Sequence, residues 1–164
     1  MTTGRKDKNL THVGPDGTAR MVDVSDKPET LRTAVARGCI RMNSAAFAAI
    51  RSHQVAKGDV LSVARVAGIM AGKRTAELIP LCHPLSLEAI QVDFEEAPDL
   101  PGFRATALAR TIGRTGVEME AIVAVSVALV TVYDMAKSVD REMVIGDISL
   151  MQKTGGSKGS STGG

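Results

Sequence analysis

The chain is 164 residues long, room for one ordinary domain and too little for two. Its 44% hydrophobic and 23% charged content is that of a soluble globular protein, and a net charge of +2 gives no ground for a nucleic-acid or membrane partner. With no Trp, one Tyr and three Phe, stacking on aromatic platforms is argued against, and the core falls to Ala, Val, Ile, Leu and eight Met.

Residues 1–10 are polar and charged and are expected to be flexible. GPDG at 14–17 signals a turn, and 19–25 follows as a short strand candidate. Weak alternation over 31–42 predicts a strand, after which Asn43 or Ser44 can cap a short helix. Asp59 can cap a longer one with Val60, Val63, Ala64, Ala67, Met70 and Ala71 on an apolar face. Ala64, Gly68 and Gly72, spaced by four, leave one side of that helix nearly bare for close backbone approach, and Pro80 ends the segment.

Ile90, Val92 and Phe94 alternate with polar residues as a half-buried strand does. A turn at 98–102 leads to a second alternating run through Phe103, Ala105, Ala107 and Ala109, completing a hairpin. Segment 115–137 then places Glu118 and Glu120 ahead of thirteen uncharged residues, 121–133, and closes on Asp134 and Lys137. Its Val and Ile favour a strand, but its length decides for a buried helix. A last strand turns Val144, Ile148 and Leu150 one way, and 155–164 is a Gly/Ser-rich tail expected to be flexible.

This order predicts a single α+β domain over 11–154, the ferredoxin-like split βαβ arrangement with helices on one face of an antiparallel sheet. The final helix is apolar nearly all round, more than one sheet face can cover, so a homo-oligomer is expected. Cys39 and Cys82 show no pairing pattern and no apolar stretch opens the chain, which makes the cytoplasm the expected location. The uncharged run is shorter than the roughly 20 residues a membrane span needs.

Chemistry-bearing residues are few. His12, His53 and His83 have no metal-site spacing, and Cys82-His83-Pro84 reads more readily as a structural histidine than as a ligand pair. Walker A and G-x-G-x-x-G loops are absent, so phosphates would be held by Lys, Arg and His side chains. GRTG at 113–116 precedes the long helix at a position suited to anions, while Glu118 and Glu120 could serve only to complement the helix dipole. Asp134 and Lys137, one turn apart on a hydrophobic helix, are expected off any open face, where a desolvated Lys beside an acid can transfer protons.

KGDV at 57–60, AGKRT at 71–75, LIPLCHPL at 78–85, TGVEMEA at 115–121, YDMAK at 133–137 and MVIG at 143–146 together closely resemble the cyclic pyranopterin monophosphate synthase family of molybdenum cofactor biosynthesis. The resemblance covers roughly 10–156. It implies a lyase that rearranges a GTP derivative, cyclised between ribose carbon 3′ and purine carbon 8, into cyclic pyranopterin monophosphate with release of pyrophosphate. It implies Asp134 as the active-site acid, Lys137 as its proton-transfer partner and Lys57 beside them. Substrate-contacting positions are implied at Leu81, Cys82, His83, Glu118, Met119, Glu120 and Lys153, with Lys73 and Arg74 as candidate phosphate contacts. Arg114 stands where many members carry Lys, which preserves a phosphate contact but not proton transfer. No cofactor and no metal is implied, and the family's hexamers of paired subunits are the implied assembly.

Glu120 and Asp134 are fourteen residues apart, about 21 Å on a straight helix and only about 40° apart around its axis. One chain would struggle to bring both to one reacting centre, so each site is expected to be shared between subunits. Two other classes compete with the enzyme: a non-catalytic oligomeric module binding phosphorylated metabolites, and a purely structural assembly subunit. Pyrophosphate release from the cyclised substrate separates the first from the enzyme, and dependence of anything but stability on Lys57 or His83 excludes the second.

Overall fold

A computed structural model describes residues 17–97, 101–156 and 161–162. Alternation of small apolar residues with polar ones produces three of its long strands: β1 (Thr30–Arg41), β2 (Ala89–Glu96) and β3 (Gly102–Gly113). With β4 (Val144–Thr154) and the two-residue β5 (Ser161–Thr162), they form an antiparallel sheet in the order β2-β3-β1-β4-β5. Helices α1 (Ser44–Arg51), α2 (Val60–Gly72), α3 (Thr75–Leu78) and α4 (Glu118–Ala136) complete the chain order. The four long strands with α2 and α4 are the expected split βαβ arrangement.

Local signals start the helices. Asn43 Oδ1 accepts the Ala46 N–H at 2.8 Å and Asp59 Oδ1 the Ser62 N–H at 3.1 Å, caps worth about 1 kcal/mol each. Pro80 holds Ile79 in an extended conformation, stopping α3 at Leu78.

Ala34, Ala36, Gly38 and Ile40 of β1, with Ala105, Ala107 and Ala109 of β3, turn inward and are buried. Such small side chains let α4 settle close to the sheet. A Cβ on Gly38 would stand 2.9 Å from Val125, Leu129 and Ile148. Gly68 and Gly72 carry out the close approach read from their spacing: a Cβ on Gly68 would lie 2.7 Å from the Ala124 carbonyl and one on Gly72 3.1 Å from that of Glu120. Burying Val125, Leu129 and Val132 completely contributes roughly 1.5–3 kcal/mol each.

Three local expectations are corrected. Segment 19–25 forms no strand, only an isolated bridge at Ala19, because carbonyls of 22 and 25 accept from side chains instead. On α2 the small residues Ala64, Gly68 and Ala71 take the buried side, so Val63 and Met70, expected on the apolar core face, are exposed. On β4, register shifts opposite 35–36 and 37–39, with Asp147 at φ +55°, reverse the alternation. Ile145 and Leu150 therefore pack on the core while Val144 turns out. Residues 1–10, most of the 14–17 turn, positions 98–100 of the next turn and most of the tail lie outside the described residues, although Ser161–Thr162 pairs with Gln152 and Lys153.

At 19 residues, α4 has the length and hydropathy of a membrane span, longer than the uncharged run inside it. More than half of it is nevertheless buried against the sheet and α2, as in the core helix of a globular fold.

Candidate active site

Helix α4 carries a cluster of ionisable side chains at each end. At its C-terminus Asp134 lies between two ammonium groups. Lys137, one turn on, reaches Asp134 Oδ1 at 2.7 Å. Lys57, in the loop before α2, reaches Oδ2 at 2.9 Å and also donates to the Asp134 carbonyl at 2.9 Å. That loop turns at Gly58, whose φ of +91° is a conformation glycine adopts without strain. The Lys137 hydrogen bond, then the Lys57 one, lower the Asp134 pKa to about 2. The three side chains leave about half their surface open in the single chain, contrary to the expectation that their helix hides them. Exposed as they are, these pairs add little stability.

Glu120, at the other end, is only 4% exposed, and burial followed by the neighbouring Glu118 charge raises its pKa. Glu118 forms an ion pair with Lys153 of β4. Cys82 stands close enough to feel Glu120: burial first and that charge second push its thiol up. His83 Nε2 is 2.8 Å from the Val22 carbonyl, so the histidine has a partner in the segment ahead of β1. Arg114 donates to the Ser25 carbonyl at 3.0 Å and meets Glu29 at 3.6 Å. Together Met21–Ser25, His83 and Arg114 line an open cleft of about 470 Å³.

Both Lys57–Asp134–Lys137 and Glu118–Glu120–Lys153 are thus assembled from distant parts of the sequence. Leu81 and Met119 are half-buried neighbours of Cys82 and Glu120 in sequence. Lys73 stands elsewhere, in a groove between α2 and the β2–β3 edge with Arg110 and Glu88, and Arg74 is exposed at the start of α3. Because α4 runs unbroken from Glu118 to Ala136, the two clusters remain at opposite ends of one rod. No group of three metal-ligating side chains occurs among the described residues, and His12 lies outside them.

Sequence reasoning missed Arg32, the 21–25 segment with Asp23, and Glu29 as neighbours of this end. A signal existed for Arg32 alone: it shares the inward parity of Ala34 and Ala36, where a charge is out of place.

Comparison with known proteins agrees with the motif blocks. The MoaC family model matches residues 21–156. Cyclic pyranopterin monophosphate synthase from Novosphingobium aromaticivorans is 59% identical over 151 residues, which cover 92% of this chain and 95% of that relative.

Proposed function

The chain belongs to the MoaC family, and we infer from this membership that it is a cyclic pyranopterin monophosphate synthase, an enzyme of molybdenum cofactor biosynthesis. It is a lyase: it rearranges the 3′,8-cyclised dihydro-GTP derivative into cyclic pyranopterin monophosphate and releases pyrophosphate. The observation that carries the reading is the near full-length match, 59% identical to a relative of that name.

Ring opening, reclosure and cyclic phosphate formation demand proton transfers and neutralisation of a triphosphate. Lys57, Asp134 and Lys137 supply the first. With its pKa at about 2, Asp134 is a carboxylate at neutral pH, so any proton it delivers must first be taken up. The two lysines that hold it are the nearest proton carriers. Lys153, His83 and Arg114 supply the second, holding phosphate oxygens at the Glu118 end. Leu81, Cys82, Met119 and Glu120 shape the pterin-forming pocket, and Lys73 and Arg74 complete the phosphate contacts from outside it.

Because α4 separates these two groups, each site is completed by another subunit. One chain supplies the Glu120 end and its neighbour the Asp134–Lys137 end, within a hexamer of paired subunits in the cytoplasm. Turnover of the cyclised nucleotide, with the product identified and pyrophosphate measured, tests the activity, and Asp134→Asn is expected to abolish it. Mixing inactive Glu120→Ala and Lys137→Ala proteins after partial dissociation tests the sharing. Recovered activity is expected; none in exchanged oligomers sinks the shared site.

A further inference from the structure

Arg32 is the one basic side chain buried among the described residues, at 8% exposure. It stands on the inward face of β1, and no carboxylate among the described residues pairs with it. A buried guanidinium without a counter-charge is costly and persists where its donors meet fixed acceptors. Here Nε donates to the Gly113 carbonyl at 3.2 Å and Nη2 to the Arg114 carbonyl at 3.4 Å.

The other side of the same group is wrapped by the turn after β4. Gly155 and Gly156 have φ of +94° and +87°, and a Cβ on Gly155 would come within 3.0 Å of Arg32 Cδ. One on Gly156 would collide with Nη1. Two stretches of chain therefore close on one guanidinium. The first, 113–116, carries Arg114 and leads directly into Glu118; the second follows Lys153 by two residues.

We propose that Arg32 is a positioning residue: it sets the spacing between Arg114 and Lys153, so that both address the anionic part of the substrate. It does this through two backbone carbonyls on the Arg114 side and close packing of Gly155 and Gly156 on the Lys153 side, without touching substrate itself. A lysine would keep the charge but not the planar fork that spans two successive carbonyls. The inference rests on the reading of Arg114 and Lys153 as substrate-holding groups.

The test is steady-state turnover of the cyclised nucleotide, with calorimetric binding of pyrophosphate, for full-length Arg32→Lys, Arg32→Met, Gly156→Ala and Lys153→Ala. Thermal unfolding and assembly mass are followed in parallel. Both Arg32 variants are expected to raise KM and weaken pyrophosphate binding about tenfold, with kcat far less affected. Gly156→Ala should reproduce the pattern with Arg32 intact, and it decides the matter if the Arg32 variants fail to fold. A merely structural Arg32 would lower Tm and leave KM and pyrophosphate affinity unchanged, which overturns the proposal. If Lys153→Ala weakens pyrophosphate binding while folded Arg32→Met and Gly156→Ala do not, only the Arg32 inference falls. Unaltered binding by Lys153→Ala removes both that inference and the reading beneath it.

Discussion

Asp134 and Glu120 are carboxylates on one helix whose environments push them in opposite directions. Two ammonium groups hold Asp134 ionised, whereas burial disfavours the charge on Glu120. The consequences for stability against pH have opposite signs. The depressed Asp134 pKa contributes stability present above the ordinary carboxylate range and lost as pH falls through about 2. The raised Glu120 pKa contributes stability present below that range and lost as pH rises through the raised value. Glu120→Gln is therefore expected to raise Tm at pH 8 and not at pH 4, read by thermal unfolding at fixed protein concentration. Each kcal/mol relieved appears as roughly 2–4 °C. An equal change at both pH values would contradict a raised Glu120 pKa. Lys57→Ala should cost about 10²–10⁴ in turnover, while unfolding shows a loss below about 1 kcal/mol, since its ion pair is open to solvent. A large stability loss with activity kept would remove Lys57 from the site.

Elements reveal which parts of the fold were legible before the structure. Caps at Asn43 and Asp59 and the four-residue spacing of Ala64, Gly68 and Gly72 could be read because each rests on short-range geometry. Val144 turns to the opposite face because a bulge shifts parity, and no residue type announces it. Segment 19–25 reads as a strand because alternation cannot show that His83 and Arg114, distant in sequence, take its carbonyls. Lys57 joins Asp134 through family motifs and not through spacing, since a sequence separation of 77 residues carries no contact signal. The α2–α4 contact offers the sharpest test at this scale. Gly68→Ala would put a methyl 2.7 Å from the Ala124 carbonyl and 3.0 Å from the Ala128 Cβ, where backbone cannot yield cheaply. Destabilisation of about 1–3 kcal/mol is expected, despite the helix propensity that alanine adds. Neutral or raised Tm would mean that the two helices stand farther apart.

For the whole molecule, the decisive feature is apolar surface that one chain does not cover. Val63, Val66 and Met70 form an exposed stripe on α2, with Val66 56% open, and Val130 projects from α4. On the opposite face of the sheet, Leu31 and Ile112 are cross-strand partners and both exposed. A large apolar side chain left in water forgoes roughly 1.5–3 kcal/mol that burial would contribute. The half-open Lys57–Asp134–Lys137 cluster has the same need, because proton transfer is more effective where water is excluded. Association of copies would meet both needs at once, joining the charged end of one α4 to the opposite end of another. The expected solution mass is therefore a multiple of 17.2 kDa, measured by light scattering after size exclusion. Val66→Glu, at the centre of the α2 stripe, should shift that mass toward smaller species. Turnover should fall with it and recover as protein concentration rises. A Val66→Glu protein of full assembly mass would show that the α2 stripe is not the contact, and a fully active monomer would show that the site is complete within one chain.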